Sequence, residues 1–218
     1  MIEEFWHDLE VGLVKIFRME QLPPNYYMEL YVNVYDYSTF LSVRSGTEDQ
    51  KQEKENKARI GSKKNDSIGA TYYNNLSKFI TNYVEYVLKE CRNYDGENLL
   101  IHFNAQWNKF KSCTKTVDGI FAYLNRHWIK KEIREGNSNV YVSHTLALVI
   151  WQQVLMDSLA SALTAAVIGL IDKERQGIAI DSTIFEGVAA ELGRVDILEQ
   201  SEDLEVLRGV LKNHNILG

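Results

Sequence analysis

The chain has 218 residues, 45% hydrophobic and 25% charged, which excludes a disordered polymer and is enough to build a real core. Asp and Glu number 30 against 24 Lys and Arg, and the net charge of -6 excludes nucleic acid as an expected partner because a phosphate backbone would meet an unfavourable field. Cys91 and Cys113 are the only cysteines and show no C-x-x-C spacing, which excludes a disulfide framework and a thiolate metal site and fits a reducing compartment.

The amino terminus, Met1-Ile2-Glu3-Glu4, is acidic where a secretory signal would be basic, so the expected location is cytoplasmic or nuclear. Phe5, Leu9, Leu13 and Phe17 then recur at helical spacing and predict a first amphipathic helix. Both prolines sit at Pro23-Pro24, and every later residue is free of the commonest helix breaker. A second helix carries Tyr27, Tyr31, Val34 and Tyr35 on one stripe. From Arg44 to Ser67 almost nothing is apolar, so residues 45–68 are expected to form a disordered surface loop that cannot repay the entropy of ordering.

From Tyr72 through Leu76, Ile80, Val84, Val87 and Cys91 the apolar spacing is that of a third helix. Leu100, Phe103, Trp107 and Phe110 predict a fourth, and Ile120, Tyr123, Leu124 and Trp128 a fifth. Lys130, Lys131 and Arg134 followed by Gly136 make a helix stop. A second group begins near Tyr141 and is expected as a buried pair of helices, one to about Leu155 and one from Leu159 to Arg175 with Gly177 as stop. Gln152, Gln153 and Asp157 interrupt this most apolar stretch, so no membrane span is expected. Thr183 with Glu186 reads as a capping box, and a last weak helix covers about Leu204 to Lys212. The fold class is all-α, with helices stacked in groups.

Chemistry is hard to find in this chain. His7, His102, His127, His144 and His214 lie on different elements without metal-ligand spacing, so no metal is expected. No G-x-G-x-x-G, P-loop or nucleophile elbow occurs, which leaves no expected cofactor and no catalytic residues. Cys91 belongs to an apolar stripe and reads as inert core. The second helix stands out instead, because Tyr27, Met28, Tyr31, Val34 and Tyr35 share one face where a core helix would use leucine, while Leu30 and Tyr37 point elsewhere. Tyrosine and methionine are what protein interfaces favour.

The segment from Tyr27 to Tyr37, YMELYVNVYDY, resembles the second helix of a cullin amino-terminal domain. Gly119 to Glu132, GIFAYLNRHWIKKE, is similar to the fifth helix of the first cullin repeat; Leu146 to Trp151 and Leu170 to Gly177 continue in order. With Trp6-His7-Asp8-Leu9, Gly12 and Gln106-Trp107, the resemblance covers about residues 3 to 193 and fades after Gly193. It implies a cullin-repeat helical stack, with residues 1–135 as a first five-helix repeat and 136–218 as part of a second. Cullins are non-catalytic scaffolds of multisubunit ubiquitin ligases. The resemblance is to their Skp1-binding branch, and it implies a Skp1-like adaptor and, through it, an F-box substrate receptor. It carries adaptor contact to Tyr27, Met28, Tyr31, Val34 and Tyr35 and to Tyr123 and Arg126. The RING-protein site of the family belongs to its carboxy-terminal half and is not expected here. Two other readings are a short cullin-like protein that competes for adaptors and a helical platform that has lost them.

Overall fold

The computed structural model describes residues 2–44 and 54–178 and the single positions 184, 206, 209, 210 and 212. Among the described residues there is no strand, and the chain is built from helices: α1 (Ile2–Phe17), α2 (Pro24–Arg44), α3 (Lys54–Cys91) and α4 (Gly96–Ile120). After a break at Phe121, α5 spans 122–134, and α6 follows as Ser143–Arg175. The all-α expectation holds. The capping box at Thr183 and the last helix fall outside the described residues, save for those single positions.

The residues cluster into two compact units, each assembled from separate stretches of chain: Met1–Phe79 with Ser112–Ala147, and Ile80–Lys111 with Leu148–Gly218. In the first unit, α1 buries Leu9, Leu13, Ile16 and Phe17, one stripe at helical spacing. Trp6 meets Tyr72 edge to face with centroids 6.0 Å apart, and Phe17 meets Phe79 in the same way at 5.4 Å. Pro24 is the first residue of α2, where its missing N–H costs nothing.

In the second unit the core is aromatic. Trp151 packs against Phe110 at 4.5 Å, Trp107 at 5.5 Å and Phe103 at 5.9 Å between ring centroids. Around them lie Val84, Val87, Cys91 and Leu100, all buried. Burial pushes the Cys91 thiol up to about 11, with Glu90 adding to the shift, so the thiolate is disfavoured and the inert reading of this cysteine stands.

Helix ends follow the predicted chemistry. Gly136 and Gly177 take positive φ, 93° and 82°, and behind each the amide of the next residue bonds back into the last turn, Asn137 to the Glu132 carbonyl and Ile178 to that of Lys173. The end of α1 uses the same device without glycine: Met19 has φ 60° and the Glu20 amide reaches the Lys15 carbonyl.

Two expectations are corrected. Helix α3 begins at Lys54, so residues 54–68 of the segment expected as a loop are helical, and 45–53 lie outside the described residues. Lys, Glu, Ala, Arg and Gln are strong helix formers even where they bury nothing, and a deficit of apolar residues speaks against tertiary packing rather than against a helix. The expected pair of helices is one helix, α6, with a π-helical stretch at Trp151–Met156. Gln152, Gln153 and Asp157 do not end the helix, and the π turn keeps Trp151 and Met156, five positions apart, on one buried side. The helix is long and apolar enough to cross a membrane by composition, but Leu159, Leu163, Val167, Leu170 and Ile171 place its apolar stripe in a protein core.

Helix α3 lies against α5 at Gly69, where an added Cβ would run into the Trp128 indole. Gly69→Ala is expected to destabilise the chain by about 1–3 kcal/mol through overpacking. Gly169 is exposed on α6 with nothing near it, so Gly169→Ala should instead stabilise by about 0.5–1 kcal/mol. Denaturant unfolding of the two variants checks both signs.

Candidate functional site

Helix α2 lies on α1 and α5, and its residues divide by face. Leu30 (3% exposed) and Val34 (0%) are buried; Leu30 packs where a Cβ at Gly12 of α1 would stand. The Tyr72 hydroxyl donates to Oδ1 of Asn33 at 3.3 Å, which ties α3 to the same helix. Tyr27 is half-buried, its hydroxyl filling the space that a side chain at Gly119 would need. On the other side Met28 (52% exposed), Val32 (42%) and Tyr35 (42%) stand out to solvent at offsets zero, four and seven, with Tyr31 half-exposed beside them.

Val34 is therefore corrected from contact residue to core. It shares the buried side with Leu30, four positions earlier, and a fully covered side chain touches no partner. Val32 is the residue that the sequence reading missed, although its spacing from Met28 is the helical i, i+4 that would have found it. Leu30 is buried, as expected, and Tyr37 lies outside the described side chains.

Helix α5 completes the site. It consists of α-helix Ala122–Leu124, a π-helical turn Asn125–Ile129 and α-helix Lys130–Arg134. Tyr123 receives Tyr35 edge to face, with ring centroids 4.8 Å apart and planes at 79°. On its far side the Tyr123 ring lies 4.2 Å from that of His127. Arg126 and His127 are exposed, so the cluster presents aromatic edges beside a guanidinium and an imidazole. Desolvation pushes the Tyr123 phenol above its ordinary value, and the phenols of Tyr35 and Tyr31 add to the shift. Of the seven expected contact residues, Tyr35 meets Tyr123, Tyr31 lies near the same phenol, Met28 is exposed on the Tyr35 side of α2, and Arg126 is exposed three positions after Tyr123; Tyr27 is half-buried.

The back of α5 is held by a polar network. Asp118 Oδ1 accepts from Asn125 Nδ2 at 2.9 Å, from Ser143 Oγ at 2.8 Å and from the His144 amide at 3.1 Å. Asn125 Oδ1 accepts from the Ser143 amide at 3.0 Å, so the first residues of α6 are capped from α4 and α5.

A cavity of about 370 Å³ between the α1–α2 turn and α4 is lined by Ile16, Met19, Leu22, Tyr27 and Cys113 with the polar Glu20. The Cys113 thiol donates to the Ile16 carbonyl at 3.2 Å. Among the described residues no three His, Cys, Asp or Glu side chains gather as a metal site.

Comparison with known proteins adds the relationships. A family model described as the cullin alpha solenoid domain matches residues 6–207, past the Gly193 at which the resemblance was expected to fade. The chain is 36% identical over 204 residues to Cullin-1 of Caenorhabditis elegans, covering 92% of this chain and 26% of that protein. Over 194 residues it is 31% identical to Cullin-1 of Dictyostelium discoideum, covering 86% and 24%. Over 188 residues it is 24% identical to Cell division control protein 53 of Saccharomyces cerevisiae, covering 81% and 22%. The chain thus spans about a quarter of the length of these relatives.

A raised phenol stabilises the fold while neutral: its contribution is complete below the ordinary tyrosine value of 10.0 and is lost as pH rises through the folded value. Stability is therefore expected to fall above that pH, and Tyr123→Phe should shallow the fall. Tyr73, also raised by burial, and Cys91, raised from 9.0 to about 11, keep part of it in the variant. Urea unfolding at a series of alkaline pH values measures the difference.

Proposed function

This chain belongs to the cullin family, and we propose that it is the adaptor-binding amino-terminal region of a ubiquitin-ligase scaffold, docking a Skp1-like adaptor through α2 and α5. The observation that carries this reading is the exposed cluster of Met28, Tyr31, Val32 and Tyr35 beside Tyr123 and Arg126. Among the described residues of this unit Val11, Met19 and Ile133 are exposed as well, but on other elements or faces than the Tyr35–Tyr123 contact that joins α2 to α5 here.

The physical logic is that of a small hot spot. Tyrosine buries a large area at low entropic cost and keeps a hydroxyl for the wet rim, and methionine fills an irregular partner surface. Arg126 adds a charge-assisted contact and favours a partner that is acidic at that edge. The scaffold itself performs no catalysis in this reading. The adaptor brings an F-box receptor and its substrate, in the cytoplasm or the nucleus. Residues 1–135 form the adaptor-binding repeat and 136–218 part of the next.

The test is a pull-down of the chain with a Skp1-type adaptor beside BTB-type and elongin-C-type adaptors. Selective capture of the Skp1-type protein is expected; equal or no capture would remove the assignment. Met28→Ala with Tyr35→Ala should weaken binding by at least about thirtyfold, the scale of a hot spot worth roughly 2 kcal/mol or more, with helical content unchanged. Val34→Ala acts on the core and should lower stability, leaving the affinity of the folded chain close to that of the parent.

A further inference from the structure

We propose that Asn125 is the positioning residue of the aromatic cluster, because its side chain anchors the π turn of α5 and so sets how Tyr123 faces α2. The inference rests on the adaptor-docking reading for its consequence and on geometry for its mechanism.

A π turn carries one residue more than an α turn, is rare, and recurs where a side chain must be re-aimed. Here its opening residue is Asn125, whose carbonyl accepts the Lys130 amide five positions on. The same residue is anchored by its side chain. Nδ2 donates to Asp118 Oδ1 and to Ser143 Oγ, both at 2.9 Å, and Oδ1 accepts the Ser143 amide at 3.0 Å. Ser143 is 1% exposed, and a part-buried amide that satisfies its donors and its acceptor on such partners has one low-energy orientation.

Tyr123 stands two positions before this anchored residue and His127 two after it, with rings 4.2 Å apart. If the turn relaxed to α geometry, the segment before it, with Tyr123, would rotate by about 100° relative to Lys130–Arg134 beyond it. Tyr123 would then leave its edge-to-face contact with Tyr35. His127, four positions from Tyr123, neighbours it in either geometry and does not report the change. Asn125 touches no partner itself; it acts through the rings.

Asn125→Asp sets a carboxylate against that of Asp118, while Asp118→Asn combined with Asn125→Asp restores a reciprocal amide–carboxylate pair. The first readout needs no adaptor: the nuclear Overhauser contact between the Tyr35 and Tyr123 rings, expected in the parent, lost in Asn125→Asp and regained in the swapped pair, with the Phe17–Phe79 contact present throughout. Persistence of the Tyr35–Tyr123 contact in Asn125→Asp would overturn the inference, whatever the adaptor does. The second readout is calorimetric affinity for a Skp1-type adaptor. A loss of about tenfold in Asn125→Asp, recovered by the swap and nearly absent in a Tyr123→Ala background, is expected. An equal loss in that background would show that Asn125 acts on the fold alone. A parent chain that shows the ring contacts and binds no adaptor would refute the docking reading and leave the positioning role standing.

Discussion

Two glycines let α2 lie close to its neighbours, and most of what the molecule presents follows from that closeness. A Cβ at Gly12 would stand 2.5 Å from Leu30 Cδ2, and one at Gly119 would collide with the Tyr27 hydroxyl. With Leu30 and Tyr27 seated in those gaps, the rotation of α2 about its axis is fixed. Helical geometry then turns Met28, Val32 and Tyr35 outward and Val34 inward. The exposed patch results from close packing on the opposite side of the same helix.

Helix α5 faces a different constraint. It must end one group of helices, cap the start of α6 and still direct its aromatic side chains at α2. An uninterrupted α-helix has one fixed angular step, so these demands compete. The π turn resolves the competition by changing the angular register midway, and the network of Asp118, Asn125 and Ser143 supplies hydrogen bonds to the polar groups involved. The same kind of turn in α6 serves packing instead, keeping Trp151 and Met156, five positions apart, on the buried side.

The features legible in the sequence are those that depend on periodicity and on glycine. The stripes of α1, α3 and α4, the stops at Gly136 and Gly177 and the inert Cys91 could all be read directly. The stop at Met19 could not, because the residue there carries no signal for a positive φ. The π turns were hidden as well, since a single inserted residue blurs a 3.6-residue period without breaking it. That blur is why α6 read as two helices. The site was legible as a helix rich in tyrosine, but a stripe of Tyr, Met and Val looks the same whether it faces solvent or core. Leu30 signalled the buried side correctly; Val34, four residues later on that same side, should have followed it inward.

Exposure alone makes a poor docking surface, because loose side chains must be ordered when a partner arrives, at about 0.5–1.5 kcal/mol for each rotamer-rich group. In this site much of that ordering is already present. Tyr35 rests on Tyr123, Tyr123 is flanked by His127, and the turn that follows Tyr123 and carries His127 is hydrogen-bonded to α4 and α6 through Asn125. Each ring limits the motion of the next, so the cluster meets a partner with its aromatic faces already set. Met28, about half-exposed, is left to adapt to the partner's shape. Such a combination suits one recurrent partner of defined shape: the rigid rings set specificity, and the flexible thioether takes up the remaining mismatch.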